Sequence, residues 1–275
     1  MNELWMLRLQ EIIVIVIAVS LVFYVIDFLK KNTRMNRIGT SLLITGWSVQ
    51  TLLLLYLFIN DNRFPILSLE EGFYFYAWLL LGVTIALKVI WKLDIPALLF
   101  SCLGFVFLVI HTFGAGRTTG GEVSEYLISE LLIIHITFAI LAYVAFSVSF
   151  VFSILYLVLY RMLKKKKWTA QFARLPSLAQ AEAMMTYSII AGIPLLFVSL
   201  LLGLEWGYIA IDGFNWLDSK IVTSFLLLVV YLFVFITRER PRIVGTTYAW
   251  IHVYAFLFVL INFFLGSSFS EFHLW

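Results

Sequence analysis

Eight long apolar segments constrain this chain more strongly than any other feature of its sequence. Seven of them are close to the roughly 20 residues that a helix needs to cross the hydrocarbon core of a bilayer, and the fifth is longer. With 63% hydrophobic and only 13% charged residues, the chain has too little polar sequence to surround a soluble core. The sequence therefore predicts an all-α polytopic membrane protein, formed by a single integral membrane domain over residues 1–275. The predicted spans are residues 9–29, 38–59, 72–91, 95–113, 127–161, 187–207, 219–237 and 246–266.

Basic residues are distributed unevenly between the connections of these spans. Of the 19 Lys and Arg residues, 15 follow the first, third, fifth or seventh span, and 4 lie on the other side. Connections rich in Lys and Arg stay in the cytoplasm during membrane insertion. We therefore expect both termini to be extracytoplasmic and the connection after the fifth span to be cytoplasmic.

The cysteine content and the absence of common motifs exclude several classes of protein. Cys102 is the only cysteine, so the chain cannot form an intramolecular disulfide, a C-x-x-C redox pair or a C-x-x-C-H haem-attachment site. It contains no P-loop, dinucleotide-binding or zinc-protease motif. We therefore expect a membrane protein that is not an enzyme and does not bind nucleic acid.

An aromatic segment, E-W-G-Y-I-A-I-D-G-F-N-W-L-D-S-K, connects the sixth and seventh spans at residues 205–220. Trp and Tyr at a membrane boundary commonly form an interfacial belt, and this is one interpretation of the segment. Four rings with two glycines in one short connection also suit a shelf for a flat, amphipathic ligand. Both interpretations stay open on composition alone.

Three of the four histidines, His111, His135 and His273, fall on the predicted outer side with this segment. A crossing counted back from Arg161 ends about six residues short of His135, which places that histidine roughly 9 Å further out. Ionisable residues are rare in such apolar chains, and imidazole is a common iron ligand. Two histidines beside an aromatic shelf would suit haem, although each could instead hydrogen-bond a carbonyl group.

Three stretches resemble the cytochrome c assembly family of haem-handling membrane proteins. They are L-L-I-I-H-I-T-F-A-I-L-A-Y-V-A-F at 131–146, the aromatic segment ending W-L-D-S-K, and N-F-F-L-G-S-S-F-S-E-F-H near the C-terminus. The likeness covers the later spans, so the resemblance implies a haem-handling half over roughly residues 95–275. It also implies location in the bacterial cell membrane.

The resemblance implies that b-type haem is held non-covalently at the aromatic segment between two axial histidines. His135 and His273 match the family's iron ligands, and His111 is a reserve ligand. The aromatic segment matches at Trp206, Gly207 and Asp218, with Trp216 one position from a family tryptophan.

Two departures from the family pattern affect the implied function. The family's W-D-P-K-E is L-D-S-K-I here, and Ile236 replaces a histidine near the inner end of a span. The second departure weighs against relay of haem through the membrane. The flanking segments are most similar to a branch of the family that lowers the amount of glutamyl-tRNA reductase, the first enzyme of tetrapyrrole synthesis. The resemblance therefore implies negative control of haem synthesis.

Two other functions stay open. A cytochrome c assembly factor would transport haem or present it to apocytochrome c on the outer face. A transporter of another aromatic or tetrapyrrole ligand would need a polar path through the membrane, for which the sequence offers only scattered residues: Ser147, Ser149, His252 and Asn262.

The cytoplasmic connection 161–185 combines basic residues with Trp168, Phe172 and Leu175 at helical spacing. Such a segment can lie on the anionic surface of the lipid bilayer. It could also bind glutamyl-tRNA reductase, or a protease adaptor that acts on this enzyme. The sequence does not decide between these partners.

Overall fold

The computed structural model describes residues 2–61, 64–114, 130–166, 174–211, 213–238 and 245–268, and these residues form eight α-helices. All eight contain an apolar stretch long enough to cross a membrane. The predicted all-α polytopic class is therefore confirmed, whereas the extracytoplasmic location of both termini stays a prediction. The helices are α1 (Asn2–Lys30), α2 (Thr33–Asp61), α3 (Leu69–Val89), α4 (Asp94–Phe113), α5 (Glu130–Lys164), α6 (Leu178–Ala210), α7 (Ser219–Thr237) and α8 (Thr246–Ser268).

Helix α6 is longer at both ends than the predicted span 187–207. It begins early because Ser177 and Gln180 form a capping box, in which each side chain accepts a hydrogen bond from the other residue's backbone N–H. It ends late because the Ile211 N–H still bonds to the Gly207 carbonyl oxygen. The interpretation of residues 205–220 as one connection was therefore wrong at its start, since Trp206, Gly207 and Tyr208 belong to the helix.

The helices form two compact units. The first contains α1–α4 together with Arg174 and Leu175, which lie in the connection between α5 and α6. The second contains α5–α8. The prediction of a single membrane domain stays a prediction.

Helix α5 is central to the second unit, where it packs against α6 and α8, while α7 packs against α6 and α8. Phe146 of α5 stacks on Tyr231 of α7 with ring centroids 3.6 Å apart. Gly192 of α6 makes room for the same ring, because a Cβ atom there would lie 2.5 Å from Phe146 Cε1. This close packing sets the register of α5 against α6 and so positions His135, which lies further along α5.

Candidate functional site

His135 is bound to α6 through its Nδ1 atom. Nδ1 lies 2.6 Å from the Ser199 carbonyl oxygen and 3.1 Å from the Ser199 hydroxyl oxygen. The same hydroxyl donates a hydrogen bond of 2.8 Å to the His135 carbonyl oxygen. Because a carbonyl oxygen can only accept, Nδ1 must carry the proton. The lone pair of the neutral imidazole is therefore on Nε2.

Gly203 allows the His135 ring to lie directly against α6. A Cβ atom at this glycine would lie 2.5 Å from His135 Cε1 and 2.6 Å from Nδ1, which is too close for any larger residue. Gly203 precedes Trp206 by three residues, or about 4.5 Å along a helix. The predicted proximity of His135 to the aromatic segment therefore holds to within one helical turn.

Three rings of the aromatic segment contact one another. Trp216 lies 6.2 Å from Tyr208 and 5.2 Å from Phe214 between ring centroids, the second pair meeting edge to face. Phe214 packs over Gly207, where any Cβ atom would collide with the ring. Trp216 remains 56% exposed, so its ring is available to a ligand or to lipid. We call residues 205–218 the aromatic end of the second unit.

Asp218 has a structural role that the sequence did not indicate. It is 3% exposed and is the N-cap of α7, with its side chain accepting a hydrogen bond of 2.9 Å from the Lys220 backbone N–H. A capping carboxylate satisfies an otherwise unpaired helix N–H and interacts favourably with the helix dipole. Asp218 therefore determines where the aromatic end stops and α7 begins.

Asn262 connects three helices near this end of α7. It is completely buried, its amide donates to the Tyr143 hydroxyl at 3.0 Å, and its side-chain oxygen accepts from Ser224 at 3.3 Å. The Lys220 ammonium donates to the Asn262 carbonyl oxygen at 3.1 Å. Asn262 was expected only as a scattered polar residue, but it links α5, α7 and α8 in the structure.

The remaining histidines differ in position. His111 lies in the first unit, where its Nδ1 is 2.9 Å from the Glu70 carbonyl oxygen and its ring packs against Tyr74. His273 lies outside the described residues. His252 is 1% exposed, with Nδ1 2.5 Å from the Ser149 hydroxyl and Nε2 without a hydrogen-bond partner among the described residues. The roles of His111 and His273 as iron ligands stay predictions.

His135 and the aromatic end together fit haem in three respects. Ligating histidines usually donate their second N–H to a carbonyl or carboxylate, as His135 does to Ser199. This bond orients the ring and leaves Nε2, the atom that would bind iron, unprotonated. The exposed Trp216 ring provides an apolar surface for a flat macrocycle.

The first unit also contains a charged cluster that was not predicted from the sequence. Arg174 contacts Asp27 at 2.5 Å and Asp94 at 2.8 Å, and Lys88 contacts Asp94 at 3.2 Å. Asn36 completes it by donating to both carboxylates, at 2.8 and 3.0 Å. The cluster contains two cations and two carboxylates, so its charges balance. The signal that could have indicated it is a pair of aspartates beside basic residues: Asp27 near the end of the first predicted span, and Asp94 just before the fourth.

Burial and hydrogen bonding act in opposite directions on Arg174. Partial burial lowers the pKa of the guanidinium, but its hydrogen bonds and ion pairs with Asp27 and Asp94 outweigh this effect. The pKa of Arg174 is therefore raised above its ordinary value, and the residue stays charged at any physiological pH.

The eight apolar helices define a multi-pass membrane protein, in which an oriented histidine lies beside an aromatic surface. The family model described as cytochrome C assembly protein matches residues 66–274, and the chain belongs to this family. The match begins before α3, further towards the N-terminus than the expected haem-handling half.

Two relatives are similar to the chain along almost its whole length. It is 38% identical over 268 residues to Protein HemX of Bacillus subtilis (strain 168), which covers 98% of this chain and 97% of the relative. It is 36% identical over 267 residues to Protein HemX of Brevibacillus brevis, with 97% of each chain covered. The resemblance found in the sequence is thereby confirmed, and the chain is a multi-pass bacterial membrane protein.

Proposed function

We propose that this protein binds b-type haem non-covalently at the aromatic end of the second unit and links haem status to negative control of haem synthesis. The observation that carries the proposal is the hydrogen bond from His135 Nδ1 to the Ser199 carbonyl oxygen, since it leaves Nε2 available to iron. Membership of a haem-handling family and similarity to HemX proteins support a haem-related function.

In this proposal each residue has a distinct role. Haem, when bound, supplies the redox-active iron. His135 would provide one nitrogen ligand to the iron, and Ser199 and Gly203 orient its ring. Trp206 and Trp216 contribute apolar contact, Gly207 lets Phe214 pack closely, and Asp218 holds the start of α7. The rings stabilise the macrocycle without coordinating iron.

The second axial ligand in this proposal is His273. In the sequence, His273 follows α8 (Thr246–Ser268). His111 is the reserve ligand. Both assignments depend on the extracytoplasmic placement of the C-terminus, which follows from the distribution of Lys and Arg.

The proposed regulatory region is residues 161–185, which include the end of α5 and the start of α6 as well as the connection between them. Trp168, Phe172 and Leu175 would contact glutamyl-tRNA reductase or a protease adaptor that acts on it, while the lysines bind the anionic lipid surface. Polar replacements at these three residues, with the lysines kept, should raise the reductase level and leave the haem spectrum unchanged. An unchanged reductase level would identify the segment as a membrane anchor.

A second candidate function is haem transport or presentation to apocytochrome c. The name of the family, cytochrome C assembly protein, favours it, and the proposed haem site would serve either function. Deletion of the gene distinguishes the two. Loss of control should raise glutamyl-tRNA reductase and leave c-type cytochromes intact, whereas loss of an assembly factor should deplete c-type cytochromes.

The ligand assignment is tested by absorption spectroscopy of the purified protein. The wild type should show six-coordinate, low-spin haem. His135→Gly and His273→Gly should each lose this spectrum, and added imidazole should restore it by filling the open axial site. His252→Gly is the matched control, since its ring contacts Ser149 and Tyr248 inside the second unit. Wild-type spectra in both His135→Gly and His273→Gly would contradict the assignment.

A further inference from the structure

A basic cleft opens between α5 and α8, at the end of the second unit opposite the aromatic end. Its volume is about 200 Å³. It is lined by Leu157, Tyr160, Arg161, Lys164, Lys165, Thr246 and Trp250. The cleft thus places three cationic side chains beside two aromatic rings.

Among the described residues, the three cations of the cleft (Arg161, Lys164 and Lys165) have no carboxylate partner. This differs from Arg174 and Lys88 in the first unit, which are both paired. Three unpaired cations around one cavity suit an anionic group with several acceptor oxygens, such as a phosphate.

An apolar stripe continues from the cleft along α8. Trp250, Tyr254, Leu257 and Ile261 recur at helical spacing and are 39–63% exposed, while His252, Val253 and Phe256 on the other face are buried. The Trp250 and Tyr254 rings stack with their centroids 5.7 Å apart, which extends the flat surface at the mouth of the cleft. A ligand with both an anionic head and a long apolar tail would match the cleft and the stripe together.

We propose that this cleft is a specific binding site for an anionic phospholipid. The phosphate would lie among Arg161, Lys164 and Lys165, with Trp250 and Tyr160 at the level of the glycerol backbone, where aromatic rings are favoured. The acyl chains would lie along the stripe on α8. A free phosphate would satisfy the cations but would leave the stripe without a role. The proposal is independent of haem binding at the aromatic end.

The test is retention of lipid by the full-length protein, measured by native mass spectrometry. Wild-type protein is reconstituted in nanodiscs of phosphatidylglycerol and phosphatidylcholine in equal amounts and then released. It should retain phosphatidylglycerol with at least a tenfold preference. The variant R161Q/K164Q/K165Q should bind it about 100-fold more weakly, given what each basic residue contributes at an anionic surface. Equal retention of the two lipids by the wild type would overturn the proposal without any variant.

A matched control removes three positive charges elsewhere on the side of the membrane that is predicted to be cytoplasmic. Lys30, Lys31 and Arg34 are exposed at the ends of α1 and α2 in the first unit, so K30Q/K31Q/R34Q should weaken retention less than threefold. Equal loss of lipid in both triple variants would indicate unspecific attraction and would overturn the proposal.

Millimolar inorganic phosphate should leave the bound lipid in place. Displacement of the lipid would show that the cleft binds free phosphate. If R161Q/K164Q/K165Q fails to fold, the exposed single change K165Q takes its place, and its retention of phosphatidylglycerol is compared with that of the wild type.

Discussion

Replacing Arg174 by Gln removes one of the two cations from the charged cluster of the first unit. Asp27 is 4% exposed and keeps only the Asn36 amide among its side-chain partners in the cluster. The variant cluster has two carboxylates and a single cation, Lys88. A buried carboxylate left without its cation carries a desolvation cost that no remaining partner offsets.

The size of the destabilisation expected for R174Q follows from the burial of the residues that Arg174 contacts. Removing one member of a fully buried ion pair costs about 3–5 kcal/mol. The Arg174 side chain is 19% exposed and Asp94 is 34% exposed, so solvent screens part of the interaction. We expect R174Q to lower the free energy of unfolding by about 2–3 kcal/mol, or the melting temperature by about 4–12 °C for a chain of this size.

A double-mutant cycle separates the ion pair from other effects of the substitution. D27N, R174Q and the double variant are unfolded thermally in the same detergent, with melting followed by intrinsic fluorescence. The double variant should be about 1–2 kcal/mol more stable than the sum of the single effects predicts, because the unpaired carboxylate is gone. Arg8 and Glu11 form the control pair, since their 2.8 Å contact is on the surface and should couple by less than about 0.5 kcal/mol. A coupling between Asp27 and Arg174 no larger than this control would refute the reasoning.

Three further predictions concern the site and the topology. G203A should weaken haem binding at least tenfold, because its Cβ atom would displace the His135 ring. G72A is the control: its Cβ atom meets nothing within 4 Å, so the haem spectrum and the haem affinity should be unchanged. D218A should destabilise the protein by about 1 kcal/mol through loss of the α7 cap, and D218N should keep most of that stability; equal melting temperatures of the two variants would contradict the capping role. A periplasm-type reporter such as alkaline phosphatase should be active when fused after Trp275 and inactive near Lys166, and the reverse pattern would place the proposed haem site on the cytoplasmic side.

The sequence alone was sufficient for the class of fold, because membrane crossing is a property of composition and length. Every predicted span corresponds to a helix, since an apolar segment in lipid must satisfy its backbone groups internally. The ends of the helices were predicted less accurately. The start of α6 depends on the capping box of Ser177 with Gln180, and its end at Ala210 extends through residues that were expected to form a connection.

The sequence by itself also suggested His135 and the aromatic segment as candidates for the site, because a histidine and clustered rings are conspicuous in an apolar chain. Only the tertiary structure decided the chemistry of His135, since its tautomer depends on Ser199, 64 residues away, and its fit depends on Gly203. The charged cluster was likewise decided by packing, because Asp27 and Arg174 are 147 residues apart. Local sequence determines which segments cross the membrane, whereas pairing of distant side chains is determined only when the helices pack.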